Sequence, residues 1–140
     1  MQYLTGVHAL NIDCGLDTCG DWHQSALKWQ NLTIRDASES VFGTWGIEEE
    51  KAIPNNTENF AVANHIRALL DLIAEGNFAA AQGMKDDFIC NDDYTQTIFE
   101  KVLLLKGSSL WKDIDAFMAK EYRMQWIKFM KGVNNGSVAT

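Results

Sequence analysis

Residues 57–76 read TENFAVANHIRALLDLIAEG. Val62, Ile66, Leu69, Leu70 and Ile73 recur at helical spacing, which lays one apolar stripe along a helix. Thr57 offers a cap ahead of the stripe, and Gly76 suits the position just past a helix end. Further helical segments follow. A short one runs through Phe78, Ala81 and Phe88. In the next, Asn91 or Asp92 caps a stripe of Tyr94, Ile98, Val102 and Leu105 that stops at Gly107. The longest spans residues 110–131, with Ser109 as cap and Trp111, Ile114, Met118, Tyr122, Trp126 and Phe129 on its inner face. The stretch 66–84 reads like one hairpin of a helical array. No second copy recurs at a fixed period, so a repeat protein is set aside.

Upstream the pattern changes. Residues 2–12, QYLTGVHALNI, carry β-formers in partial alternation and predict a strand. Residues 13–20, DCGLDTCG, are dense in turn formers and predict a loop. Asp21 then caps a short helix over 22–29, with Trp22, Ala26 and Trp29 at helical spacing. Strands are expected at 32–37 and 41–47, the second made irregular by Gly43 and Gly46. Residues 48–56, with their glutamates and the one proline, form a break. Some fifty residues of short strands cannot build a core alone, so the two halves belong to a single domain, 1–140. The expected fold is α+β: a small, mostly antiparallel N-terminal sheet packed by three to four C-terminal helices. Residues 1–50 are the β-leaning part, 57–131 the helical part and 132–140 a frayed tail.

The composition, 46% hydrophobic and 11% aromatic, can build a core. No apolar run is long enough to cross a bilayer, and residues 1–11 lack the basic start of a secretory signal. The expected setting is the cytoplasm, with no membrane partner and the three cysteines as free thiols. Residues 1–56 hold three basic and eight acidic side chains, net −5, whereas 101–131 hold seven basic and three acidic, net +4. The whole chain carries −7, which argues against nucleic acid and for a basic protein partner. Oppositely charged poles would also favour homo-oligomers.

The densest polar constellation is His8, Cys14, Cys19 and His23, written H-x5-C-x4-C-x3-H. All four residue types ligate zinc, but only the cysteine pair is spaced like a knuckle. We therefore expect a turn with two thiols and no cofactor, and keep zinc as the alternative. Asp13, Asp17 and Asp21 beside His23 suggest acid–base work, although aspartates at turns and caps are ordinary. Cys14 or Cys19 with His8 or His23 would form a nucleophile and base. Cys90, closing the apolar run DFIC, reads as a buried hydrophobe. Phosphate-binding, dinucleotide, zincin and hydrolase motifs are all absent, so those chemistries lose support. Lys112, Lys120, Arg123, Lys128 and Lys131 read as a solvated helix face.

The functional expectation is a small acidic binding or regulatory protein that neutralises a basic partner, in the manner of antitoxins or anti-defence factors as a class. Its binding residues would be Asp17, Asp21, Trp22, His23 and Trp45. The alternative is a small metal- or histidine-dependent enzyme built on the loop 8–23.

Overall fold

The computed structural model describes residues 1–136. Its chain begins with β1 (Gln2–Leu4), in which Tyr3 and Leu4 are buried. The expected strand over 2–12 stops here. Gly6 sits at φ +68°, a conformation glycine tolerates and other residues resist, and it turns the chain into the one-turn helix α1 (Gly6–Leu10). Residues 22–29 form a single 3₁₀ turn (Gln24–Ala26) rather than a helix. Asp21 does not cap it, because its carboxylate is taken by Asn11 and His23. The chain then enters β2 (Ile34–Asp36), inside the expected 32–37.

Residues 41–46 are turns, and the next strands lie where a break and a helix start were expected: β3 (Ile47–Lys51) and β4 (Phe60–Ala63). Sheet order is β2-β1-β4-β3. β1 runs antiparallel to β2 and parallel to β4, while β3 runs antiparallel to β4 with a register shift between Glu48 and Lys51. The glutamates of β3 place charge on this edge strand, a feature that disfavours edge-to-edge pairing. The sheet is thus small and mixed, with two of its three pairings antiparallel, and helices follow it as the α+β reading requires.

Thr57 caps nothing here. Asn64 does so instead, its side-chain oxygen accepting the N–H of Arg67 at 2.8 Å, and α2 (His65–Ala74) starts there. Val62 is buried as a strand residue, while Ile66, Leu69, Leu70 and Ile73 are buried as the helical stripe predicted. From His65 to Ile73 every residue is buried, so α2 is the central rod against which β4, α1, α3 (Phe78–Ala81) and α4 (Thr95–Leu103) pack. Between α3 and α4 lies a π turn (Met84–Ile89) and a 3₁₀ turn (Asp92–Tyr94). The expected long helix 110–131 is two helices, α5 (Trp111–Tyr122) and α6 (Met124–Asn134), broken at Arg123, which has φ +54°. Ser108, not Ser109, accepts the N–H of Leu110 ahead of α5. Residues 132–134 continue α6; of the expected tail, 137–140 lie outside the described residues.

α2 also carries buried charge. Arg67 is fully buried and donates from Nε to Asp71 at 3.0 Å, from Nη1 to the Gly43 and Trp45 carbonyls, and from Nη2 to the Tyr3 hydroxyl at 2.8 Å. Tyr3 and Thr5 in turn donate to the other oxygen of Asp71, at 2.6 and 2.7 Å. A buried ion pair is tolerated only when its remaining donors and acceptors are met in this way. The network is internal and ties β1 and the 41–46 turns to α2. Among the described residues no helix is long and apolar enough to cross a membrane.

Candidate functional site

The loop 13–23 between α1 and the 3₁₀ turn carries two of the three cysteines, His23 and three aspartates. It is not slack. At its C-terminal end the Asp21 N–H donates to the Leu10 carbonyl at 2.8 Å, and Asn11 accepts the His23 N–H at 2.8 Å while donating to the Val7 carbonyl and the Asp21 carboxylate. Gln24 closes the same end onto the Asn11 carbonyl at 2.9 Å. In its middle, the N–H groups of Cys19 and Gly20 both donate to the Phe88 carbonyl, at 3.0 and 2.9 Å. Tyr94 accepts the Asp17 N–H at 3.0 Å, and Asn91 donates to the Asp17 carbonyl at 3.1 Å. At its start, Glu48 accepts the Gly15 N–H at 2.7 Å and Lys51 donates to the Asp13 carbonyl.

His65, the first residue of α2, lies under this loop, buried. Its Nε2 lies 2.8 Å from the Ile12 carbonyl and must carry a proton to bond there. Its Nδ1 lies 2.7 Å from the Thr18 hydroxyl, whose oxygen is 3.6 Å from Cys14 Sγ. Gly20 permits this approach: a Cβ there would stand 2.7 Å from the His65 ring and 2.9 Å from the Leu10 carbonyl, and the residue sits at φ +71°. Burial pushes the Cys14 thiol up, but hydrogen bonds from the His65 ring, the His65 N–H and the Leu16 N–H outweigh it and lower the pKa to about 7. Burial pulls the His65 imidazole down, and Cys14, the Ile12 carbonyl and Asp13 overcome that and raise it. The Thr18 hydroxyl thus stands between a thiol and an imidazole, each shifting the other's titration, an arrangement related to those that activate a cysteine.

Sequence reasoning named Cys14 but sought its partner in His8 or His23. Neither is near it. His8 bonds Thr33 and the Lys28 carbonyl and stands edge-on to the Trp29 ring at 5.0 Å. His23 is exposed and held by Asp21. Cys19 is bonded through its N–H to the Phe88 carbonyl, two residues before Cys90. Cys90 is exposed rather than buried at the left-handed end of the π turn, φ +55°, its thiol donating to the Asp86 carbonyl at 3.1 Å. The set His8, Cys14, Cys19 and His23 is therefore not brought together, and among the described residues no three His, Cys, Asp or Glu side chains are arranged to hold a metal ion.

Of the residues expected to bind, Asp17, Asp21, Trp22 and His23 share the loop. Trp22 is 83% exposed at the rim of a cleft of about 280 Å³ lined by Leu10, Ile12, Asp13, Cys19, Asp21 and His65 among others. Trp45 stands apart, half-buried, with the Lys101 ammonium 4.6 Å above its ring. The chain matches no known protein family, no curated protein and no solved structure.

Proposed function

We propose that this is a binding or regulatory protein that recognises a basic partner through the loop 13–23, with Trp22 as the anchor. The observation that carries the reading is the exposure of Trp22 on a loop hydrogen-bonded along its length. An indole left in water on a fixed scaffold gives up apolar area that a partner can cover, with little ordering cost at the moment of binding. The charge on the loop and on the turns bonded to it is mostly negative. Asp13 and Asp17 on the loop are joined by Asp86, Asp87, Asp92 and Asp93 on the turns bonded to it, against Lys51 and Lys85. Such a surface favours cationic side chains and repels acidic ones.

The test compares tagged wild-type protein with Trp22→Ala in affinity purification from the source cell, followed by calorimetry on the partner identified. Loss of a hot-spot tryptophan costs 2 kcal/mol or more, about a thirtyfold weaker Kd, at an unchanged melting temperature. Equal affinity in the variant would move recognition away from this loop.

A second reading, a small histidine-dependent thiol enzyme, has one observation in its favour: the Thr18 hydroxyl links the Cys14 thiol to the His65 imidazole. Cys14→Ser separates the two readings, because it abolishes thiol chemistry and leaves the Trp22 surface as it is.

A further inference from the structure

Two of the three cysteines sit on segments pressed together. The Cys19 and Gly20 N–H groups share the Phe88 carbonyl, at 3.0 and 2.9 Å, and Cys90 follows two residues later. Asn91 reaches across to the Asp17 carbonyl at 3.1 Å, so bonds flank the two cysteines on both segments. Cys90 sits at φ +55°, and its thiol donates to the Asp86 carbonyl at 3.1 Å. Both residues are exposed, and the Cys19 thiol acts on that of Cys90 across the junction. Cys14, the nearer cysteine in sequence, is drawn the other way onto Thr18 and His65.

We propose that Cys19 and Cys90 are a redox pair that closes to a disulfide and staples the loop 13–23 to the turns at 84–94. The oxidant is a low-molecular-weight disulfide. The Cys19 thiolate attacks one of its sulfurs, expelling the first thiolate, which takes up the proton Cys19 lost and leaves a mixed disulfide. The Cys90 thiolate then attacks the Cys19 sulfur and expels the second thiol. Two cysteine thiols become one disulfide, and one oxidant disulfide becomes two thiols. Partial burial, the Cys19 thiol and the carboxylates of Asp87 and Asp86 push the Cys90 thiol up to about 11. That makes Cys19 the starting nucleophile and the Cys90 step the slower one at neutral pH. The same carboxylates repel anionic oxidants, so an uncharged disulfide is the suitable reagent.

The reduced full-length protein is treated with 2-hydroxyethyl disulfide in native buffer, then denatured, alkylated and mapped by mass spectrometry. The expected product has a peptide linked through Cys19 and Cys90, with Cys14 outside that link as an alkylated thiol or a mixed disulfide with the reagent. Cys14→Ser should close equally well, whereas Cys19→Ser and Cys90→Ser should stop at the mixed disulfide. Closure should also be faster in native buffer than in concentrated guanidinium, because the fold sets the two thiols together. A Cys14–Cys19 link, persistent mixed disulfides on both Cys19 and Cys90, or closure no faster than in the unfolded chain would each overturn the pairing. The chemistry stands apart from the binding proposal, since none of these readouts involves a partner.

Discussion

The three cysteines stand in three environments, and their reactivity should separate accordingly. Burial pushes the half-buried Cys14 thiol up, but His65 and the Leu16 N–H outweigh it and lower its pKa to about 7. Partial burial, then the Cys19 thiol and the carboxylates of Asp87 and Asp86, push Cys90 up to about 11. Only the thiolate alkylates, so a lowered pKa moves reactivity to lower pH and a raised one to higher pH. With iodoacetamide and peptide mapping, the Cys14 rate should reach half its maximum near pH 7, and the Cys90 rate should still be climbing above pH 10. His65→Gln removes the ring donor and should carry the Cys14 midpoint up toward the ordinary thiol value of about 8.5. One common midpoint for both cysteines would refute the assignment. The Arg67–Asp71 pair is a contrasting case at the same scale. Its polar partners are all internal, and among the described residues no buried side-chain polar atom goes without a hydrogen bond, so it belongs to the scaffold.

At the scale of the element, α2 decides the core. Leu69 is fully buried at its centre. Leu69→Ala should destabilise the protein by about 2–5 kcal/mol in a denaturant titration, the usual cost of removing a core leucine. A change near zero would mean the stripe faces solvent. The phase of this helix was legible because 66, 69, 70 and 73 fall on one face wherever the helix begins; its start was not. Val62 fits the helical period and the strand period alike, and only the pairing of β4 with β1 and β3 selects the strand. β3 was illegible for a different reason. A charged edge strand, IEEEK, has no apolar alternation, since its partner and not its own burial makes it a strand. The break at Arg123 left no sign because Ile114, Met118, Tyr122, Trp126 and Phe129 remain buried on both sides of it. The loop 13–20 was legible from its glycines and aspartates. His65, fifty-one positions beyond Cys14, carried no local signal of its role; tertiary packing alone brings it under the loop.

Across the whole molecule, charge is arranged differently from its order along the chain. The halves 1–56 and 101–131 differ in sign, which suggests two poles. The fold instead adds a second acidic segment, 86–93, to the N-terminal loop through the Phe88 and Asn91 bonds. The other flank of that segment meets the basic helices, where Lys120 and Arg123 line one groove with Asp86, Asp87 and Glu121. The acidic face is therefore bounded, with cations along one border and Trp22 within it. Recognition of a basic partner should divide between these features. Exposed carboxylates act over distance and accelerate encounter, a contribution screened beyond about 10 Å at 0.1 M salt. Burial of the indole acts only on contact and governs how long the complex lasts. Between low salt and 0.5 M sodium chloride, the association rate measured by surface plasmon resonance should fall by about tenfold or more, with the dissociation rate nearly constant. Trp22→Ala should do the reverse, raising dissociation and leaving the salt slope of association unchanged. Asp17→Asn together with Asp21→Asn should flatten that slope. An association rate indifferent to salt would remove the carboxylates from recognition and leave the tryptophan to act alone.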